Sequence, residues 1–164
     1  MKHYDKLIFV SRSDTATSPM AEAILQKQFY LEDILISSKG LVVLFPEPIN
    51  PKAEAILASH SLSMKSHMSE QLEEEDFDPR TLILTMDREQ KDKLLREHEL
   101  AQNVFTLAEY IQADEDIPDP YGGSLSDYGR CYDILNGQIA RLTYILKAEE
   151  RTQEEIAKSL QRYY

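Results

Sequence analysis

The sequence contains one cysteine, Cys131, in 164 residues. A single thiol excludes an internal disulfide framework and leaves no cysteine cluster for a zinc or iron–sulfur site. Long apolar runs are also absent, and only the residues at 7–10 form an apolar run near the N-terminus. That run is too short for the apolar region of a signal peptide, and no later run approaches the ~20 residues of a membrane span. We therefore expect a cytoplasmic protein.

Basic residues are the second shortage. Lys and Arg number 18 against 29 Asp and Glu, which gives a net charge of −11. This balance argues against nucleic acid and against anionic membrane surfaces as partners, because both attract a basic face. The length corresponds most simply to one domain, residues 1–164, that buries roughly two-thirds of its unfolded surface. We expect no metal and no cofactor.

Short apolar runs alternate with helical patterns along the chain. The runs predict strands at 7–10, 34–38, 81–86 and 103–106. Helical patterns follow from residue 18, where Ser18 can cap the helix, from residue 50, and from residue 87 to about 98. The alternation indicates an α/β fold with a parallel sheet, in which ligands bind beyond the carboxyl ends of the strands.

Two further helical segments are predicted with less regular patterns. Residues 70–76 suggest a short acidic helix, and residues 113–124 form turns throughout. From residue 125 the apolar spacing is helical to Tyr164, with a break expected near Gly137 or Lys147. Residues 148–164 then form an additional C-terminal helical extension, whose apolar stripe packs either on the body of the protein or on a second chain in a homodimer.

Residues 9–23 are FVSRSDTATSPMAEA, a strand followed by a polar loop and a helix that opens on Ser-Pro. This order of elements is how proteins build a cradle for an anion, with loop amides and a helix N-terminus directed at the ligand. The loop has no cysteine and no glycine, and Arg12 is its one cation. The shape of a phosphate loop is therefore present without the groups that usually perform phosphate chemistry.

The chain resembles the low-molecular-weight protein tyrosine phosphatases over about residues 5–147. The family begins with a strand, a loop of the form Cys-x5-Arg-Ser, and Pro-Met-Ala-Glu-Ala on the helix, and residues 18–23 are SPMAEA. Its general acid lies in an Asp-Pro-Tyr or Asp-Pro-Phe segment before the last helix, which residues 119–123, DPYGG, match. The resemblance implies a three-layer phosphatase-I-like fold, with a four-stranded parallel sheet of order 2-1-3-4 and helices on both faces.

The departures from the family pattern lie in the loop itself. Ser11 stands where the family has its nucleophilic cysteine, and Thr17 where it has the phosphate-binding arginine. Ser13 and Asp14 correspond to the usual glycine and asparagine, and Ala16 to a frequent second cysteine. Changes at several positions indicate natural divergence rather than one engineered cysteine-to-serine exchange. The resemblance implies that the phosphate-binding segment consists of Arg12, Ser13, Asp14, Thr15, Ala16, Thr17 and Ser18.

These replacements predict a loss of catalysis. The family's nucleophile reacts as a thiolate, whereas a serine hydroxyl needs an adjacent base, and removing a nucleophile costs on the order of a millionfold, or ~8 kcal/mol. The four histidines, at 3, 60, 67 and 98, lie outside every segment predicted near the loop. A threonine hydroxyl also cannot grip two phosphate oxygens as a guanidinium does. The two groups that perform the first chemical step, the nucleophile and the phosphate-binding guanidinium, are therefore both replaced by weaker ones.

Other loop residues leave two interpretations open. Asp14 either supplies a left-handed conformation or a helix cap, which we favour, or repels a dianion at ~4 Å by roughly 1 kcal/mol per unit charge in water-like surroundings. Arg12 directly follows the nucleophile position, so a surface or salt-bridge role is favoured over replacing the missing arginine.

Cys131 lies beside the apolar stripe of the last helix, which favours a role in the core.

The residues across the cleft have similar alternatives. The resemblance implies that Asp119 is the former general acid, although an aspartate between two prolines also suits a turn. Tyr121 resembles the aromatic that flanks a phosphotyrosine ring, and burial against the last helix is the alternative. Phe45 lies in the segment that corresponds to the variable wall of the substrate pocket, where it either stacks on an aromatic ligand or is buried.

Three functional hypotheses follow. The first is a pseudophosphatase that binds phosphate, sulfate or a phosphotyrosine protein weakly. The second is an active phosphomonoester hydrolase with altered chemistry, in which Asp119 activates water. The third is a structural or oligomeric module with a vestigial pocket. Arsenate reduction, which some proteins of this fold perform, is excluded because the loop lacks the necessary thiols.

Overall fold

The computed structural model describes residues 3–28 and 33–162, and the side chains of 151 and 153 are not described. Four parallel strands form one sheet in the order β2-β1-β3-β4. Their bounds are β1 Lys6–Ser11, β2 Leu35–Gly40, β3 Thr81–Thr85 and β4 Val104–Thr106. The predicted strand order and parallel pairing are confirmed, and each predicted strand forms within two residues of its expected bounds.

The two central strands are buried along almost their whole length because each is covered on both faces. On one face Leu7 and Phe9 of β1 join a large core. On the other face Ile8 and Val10 join a smaller core that includes Leu94. Since side chains alternate across a strand, a continuous apolar run fills both layers at once. This packing produces the predicted three-layer arrangement, with the sheet in the middle.

Five α-helices lie in the described part of the chain. Their bounds are α1 Thr17–Gln28, α2 Pro51–Ser59, α3 Arg88–Glu97, α4 Leu107–Ile111 and α5 Leu125–Gln161. Side-chain caps fix several starts: Asn50 accepts from the amide of Lys52 at 2.8 Å, and Asp87 accepts from that of Gln90 at 2.8 Å. Helices α1, α2, α4 and α5 contribute to the larger core, and α3 to the smaller one.

The structure corrects several predictions about helices. Ser18 lies inside α1 rather than capping it, because its hydroxyl bonds to other loop side chains. Only Glu74–Asp76 of the predicted acidic helix is helical, as one 3₁₀ turn, since Glu70 and Leu72 instead exchange backbone hydrogen bonds with Gly40. No break interrupts α5, and α4 was not predicted. The predicted helical positions Phe29 and Tyr164 lie outside the described residues.

Two glycines should respond oppositely to the same substitution. Gly137 is exposed inside α5, and a Cβ there would meet nothing within 4 Å. We expect Gly137→Ala to raise the free energy of unfolding by about 1 kcal/mol, because alanine favours the helix. At Gly40 a Cβ would lie 2.6 Å from Val43 and 3.0 Å from the backbone of Ser13. Gly40→Ala should therefore lower the unfolding free energy by about 1–3 kcal/mol. Chemical denaturation of both variants measures the signs, and a stabilised Gly40→Ala would contradict the close packing of the loop.

No helix among residues 3–28 and 33–162 is both long and apolar enough to cross a membrane.

Candidate active site

A cavity of about 580 Å³ opens at the carboxyl end of β1, where the polar loop joins the strand to α1. Its size lies within the range usual for small-ligand sites. Residues from four parts of the chain line it: Ser11, Arg12, Ser13, Thr15, Ala16, Thr17, Glu47, Pro48, Ile49, Asn50, Pro51, Gln90, Asp119, Tyr121 and Tyr128. The two sequence motifs, the loop and the DPYGG segment, therefore meet at one cavity.

Three carbonyl groups of the loop accept backbone hydrogen bonds from neighbouring segments. The carbonyls of Ser11 and Arg12 accept from the amides of Leu41 and Val42 at 3.0 Å each, and the carbonyl of Thr15 accepts from Asn50 at 2.7 Å. In contrast, the loop amides other than that of Asp14 donate to no acceptor in the described residues; they belong to residues 12, 13, 15, 16, 17 and 18. Amides left unpaired at the start of a helix are suited to hold an anion.

Ser11 and Thr17 occupy the positions where nucleophile and arginine are expected in the family. Both are nearly buried, with 4% and 6% of their surfaces exposed, and both border the cavity. The Ser11 hydroxyl bonds to the Ser18 hydroxyl at 2.7 Å and accepts from the Asp14 amide at 3.1 Å. The nucleophile position thus carries a neutral hydroxyl group, and position 17 supplies no guanidinium to the loop.

Asp14 lies beneath the loop, fully buried, and does not line the cavity. Its φ of 58° places it in the left-handed region, which aspartate and asparagine tolerate better than other residues with side chains. Its carboxylate accepts from the Ser18 hydroxyl at 2.7 Å and from the Glu70 amide at 3.1 Å. The carboxylate thus anchors the loop from below, as the favoured sequence interpretation of a left-handed residue suggested.

His67 corrects the prediction that every histidine lies away from the loop. Its Nε2 is 2.7 Å from the carbonyl oxygen of Asp14 and 3.6 Å from the carboxylate of the same residue. Because a carbonyl can only accept, Nε2 carries a proton and donates it. The ring contacts Asp14 rather than Ser11, so it supports the loop and is not positioned as a direct base for the hydroxyl.

Burial controls the electrostatics below the loop. Desolvation raises the pKa of Asp14, while the hydrogen bond from Ser18, the nearby Ser38 hydroxyl and the charge of His67 oppose the rise. Desolvation also raises the pKa of Glu22, on the neighbouring turn of α1. The Ser38 hydroxyl is buried without a hydrogen-bonding partner at standard length among the described residues. Two carboxyl groups, those of Asp14 and Glu22, thus have pKa values raised by burial.

Asp119 faces the same cavity from the loop before α5. It is exposed, and its carboxylate accepts from the Tyr121 amide at 3.0 Å, which is the geometry of an aspartate-stabilised turn. Tyr121 is 87% exposed and borders the cavity, so it is not buried against the last helix. Both the turn geometry and the access to ligand that the sequence suggested are thus present at Asp119.

Cys131 is part of the core, as its position on the helical stripe predicted. It is fully buried, and its thiol donates to the Pro118 carbonyl at 3.5 Å. Desolvation, together with the charge of Asp119, raises the pKa of this thiol to about 12. A thiolate is therefore suppressed at neutral pH, and Cys131 does not replace the missing nucleophile.

Two other predicted residues lie at the rim. Arg12 is exposed and forms no ion pair among the described residues, which matches the surface role and not the salt-bridge role that the sequence left open. Phe45 is 63% exposed and does not line the main cavity. It lines a neighbouring depression of about 240 Å³ that shares Ser13 and Glu47 with the main cavity. Phe45 is therefore not buried, and its stacking on an aromatic ligand stays a prediction, placed at this neighbouring depression rather than in the main cavity.

Helix α2 connects the two sides of the cavity, which sequence reasoning did not anticipate. At its start, the Asn50 amide donates to the Thr15 carbonyl in the phosphate loop. Two residues later, the Lys52 ammonium donates to the Gly123 carbonyl at 2.6 Å, beside the Asp119 segment, and lies 5.9 Å from the centre of the Tyr128 ring. The only signal in the sequence was the Asn-Pro helix start, which gives no information about these partners.

In the described residues no group of three or more His, Cys, Asp or Glu side chains is arranged to hold a metal ion. The polar groups that line the cavity include backbone amides, hydroxyl groups and three charged side chains: Arg12, Glu47 and Asp119.

The sequence comparisons agree with this geometry. A family model described as low molecular weight phosphotyrosine protein phosphatase matches residues 6–155. The PtpB low-molecular-weight protein-tyrosine-phosphatase of Staphylococcus haemolyticus is 31% identical over 137 residues, which cover 84% of this chain and 96% of that protein. PtpB of Staphylococcus epidermidis is 32% identical over 139 residues, covering 85% and 97%.

Solved structures give the same result. YwlE arginine phosphatase from Geobacillus stearothermophilus superposes with a TM-score of 0.83 at 30% identity, covering 90% of this chain and 96% of that one. A cysteine-to-serine mutant of YwlE arginine phosphatase, with a phosphorylated active-site serine, superposes with a TM-score of 0.81 at 30% identity, covering 89% and 98%. From the matched residues, the relatives and the shared fold, the chain belongs to the low-molecular-weight protein tyrosine phosphatase family.

Proposed function

We propose that this protein binds a phosphorylated side chain in the loop-lined cavity and is impaired in hydrolysing it. The observation that supports this proposal is the loop itself: residues with unpaired amides line an open cavity, while Ser11 and Thr17 stand at the nucleophile and arginine positions. Amides and a helix N-terminus suffice to hold an anion. Hydrolysis needs in addition an activated nucleophile and stabilisation of the transferring group, and both are reduced here.

The names of the relatives suggest two ligand classes. Some are named tyrosine phosphatases, and others arginine phosphatases. The cavity offers Tyr121 and Tyr128 for an aromatic ring, and the carboxylates of Glu47 and Asp119 for a guanidinium. The phosphorylated serine in the YwlE mutant supports the inference that a phosphoryl group held by this loop lies against the nucleophile position, which is Ser11 here.

Thermal unfolding with added phosphate tests binding. At millimolar affinity, 20 mM phosphate should raise stability by roughly 1.8 kcal/mol. For a chain of this size, that gain corresponds to a rise in melting temperature of about 4 °C. Chloride at equal ionic strength should leave the temperature unchanged, and Thr17→Asp, which places a carboxylate at the cradle, should remove the phosphate response. A wild type indifferent to tens of millimolar phosphate would overturn the binding proposal.

An assay with p-nitrophenyl phosphate distinguishes binding from altered hydrolysis. We expect no sustained turnover. The alternative hydrolase, in which Asp119 activates water, would show turnover that disappears in Asp119→Ala. Turnover that Asp119→Ala leaves unchanged would overturn this alternative, because Asp119 would then not be the group that activates water.

A structural role is supported by one separate observation. Near the end of α5, Ile156 and Leu160 are 48% and 56% exposed at helical spacing. Such a stripe suits a second copy of the chain. Light scattering before and after truncation at about Arg151 tests this alternative, since only a dimer formed through α5 becomes a monomer on truncation.

A further inference from the structure

A continuous chain of hydrogen bonds leads from the nucleophile position to a buried carboxylate. The Ser18 hydroxyl donates to Asp14 Oδ1 at 2.7 Å. Since its one proton is engaged there, the 2.7 Å contact between the Ser11 and Ser18 hydroxyls has Ser11 as its donor. The Asp14 amide donates to the Ser11 oxygen at 3.1 Å, so one lone pair of that oxygen accepts no hydrogen bond from the described residues, and Ser11 lines the cavity.

We propose that Ser11 accepts a phosphoryl group once from a labile donor bound in the cavity, and that Asp14 receives its proton through Ser18. This inference rests on the proposed binding of phosphorylated ligands. In phosphoryl transfer to hydroxyl groups, an aspartate is a suitable proton acceptor. The carboxylate replaces the asparagine usual in the family pattern, so the relay depends on a residue in which this chain departs from that pattern.

The step balances in atoms and electrons. The bond from phosphorus to the leaving group breaks while a bond from Ser11 Oγ to phosphorus forms. The Ser11 proton moves to Ser18 Oγ, and the Ser18 proton moves to Asp14 Oδ1. The leaving group departs with the electron pair of the broken bond. A strongly basic leaving group takes a proton from the carboxyl of Asp119, which lines the same cavity.

The product should persist rather than turn over. Hydrolysis of a phosphoserine expels an alkoxide, a far worse leaving group than the thiolate of a cysteine enzyme. Position 17 also lacks the guanidinium that stabilises the transferring group. Ser11 would thus store one phosphoryl group, held by the amides of the loop.

The groups around Asp14 set the pH dependence of the reaction. Ser18 and Glu22 face it from α1, Ser38 from β2, and His67 and the Glu70 amide from the segment below the loop. Burial raises the pKa of Asp14, and an ionised Asp14 is required to accept the proton. The modification rate should therefore rise with pH through the titration of Asp14 and level off above it.

The experiment uses the intact protein with p-nitrophenyl phosphate and with phosphoramidate as donors. The expected result is a burst of one equivalent of p-nitrophenolate without further turnover, and one phosphoryl group on Ser11 by peptide mass spectrometry. Ser11→Ala should show neither. Asp14→Asn keeps the left-handed residue but removes the base, so modification should slow by about 100-fold and lose its pH dependence.

Two further variants control for structural damage. Ser18→Ala cuts the relay without changing residue 14 and should slow modification to a similar extent. Asp76→Asn removes another partly buried carboxylate, which pairs with Lys39 at 3.0 Å away from the cavity, and should leave modification unchanged.

The outcomes separate this inference from the proposed function. Equal rates and pH profiles in wild type and Asp14→Asn would overturn the relay. A phosphate-dependent melting shift with no modification of Ser11 by either donor would overturn phosphoryl transfer and leave ligand binding intact. Absence of both the shift and the modification would overturn both proposals. Sustained turnover instead of a burst would overturn the single transfer.

Discussion

Ser11→Cys combined with Thr17→Arg should restore hydrolysis of p-nitrophenyl phosphate, to a rate on the order of 10³-fold or more above the wild-type background. The cysteine supplies a thiolate, and the arginine grips two phosphate oxygens and stabilises the charge of the transferring group. The cavity that receives them retains unpaired amides and Asp119 on the opposite side. Either single variant should recover little, because the two groups act in the same step.

Asp14 should limit this recovery, which makes a third substitution informative. In the present loop the Ser18 proton is engaged by the Asp14 carboxylate. A thiolate at position 11 needs that proton as a hydrogen bond, and a buried carboxylate nearby also raises the pKa of a thiol. Adding Asp14→Asn should therefore increase the rate of the double variant by roughly a further 10-fold.

Steady-state assays between pH 5 and 8 measure the hydrolysis rates of the double and the triple variant. Asp119→Ala on the triple-variant background is the control, because restored family chemistry needs the general acid and should fall by about 100-fold without it. If the double and triple variants stay at the wild-type level while retaining the fold by circular dichroism, the cavity is not an intact phosphatase site. The proposal that the residues at positions 11 and 17 cause the loss of catalysis would then be wrong.

Thr17→Arg alone should produce the second-largest effect, on binding rather than on chemistry. A guanidinium at this position can form two charge-assisted hydrogen bonds to phosphate, whereas the threonine hydroxyl offers one neutral donor. We expect the dissociation constant for phosphate to fall by about 100-fold, which corresponds to roughly 2.7 kcal/mol. Isothermal titration calorimetry with phosphate measures this change.

The matched control for this measurement is Gln26→Arg. Gln26 is exposed on the same helix, so the variant adds the same charge to α1 at a distance from the cavity. A comparable gain in affinity from Gln26→Arg would show that net charge, and not the position of the guanidinium, controls phosphate binding. An unchanged affinity in Thr17→Arg would indicate that position 17 does not present its side chain to the anion.

The strands and the position of the site were predictable because their signals are local. Apolar runs such as Leu7 to Val10 are buried on both faces, and the loop and DPYGG motifs each lie within a few consecutive residues. Parallel pairing then brings the ends of the strands to one edge. The sequence signal therefore sufficed wherever one stretch of chain specified its own structure.

The remaining features depend on contacts between distant residues. His67 and Glu70 reach Asp14 across more than fifty residues, and no local pattern marks either of them as a partner. The predicted helix over 70–76 failed for the same reason, since the backbone there pairs with Gly40 of β2. Tertiary hydrogen bonds override the local preference for a helix in that segment.

The double attachment of α2 has a consequence for the entropy of recognition. One short helix is bonded to the phosphate loop through Asn50 and to the Asp119 segment through Lys52. The phosphate loop and the Asp119 segment, which are the two walls of the cavity, are thereby held at a fixed separation before any ligand arrives. Little conformational entropy is then lost when a ligand binds. Amide hydrogen exchange in the two walls should accordingly slow or quicken together, and Lys52→Met should uncouple them.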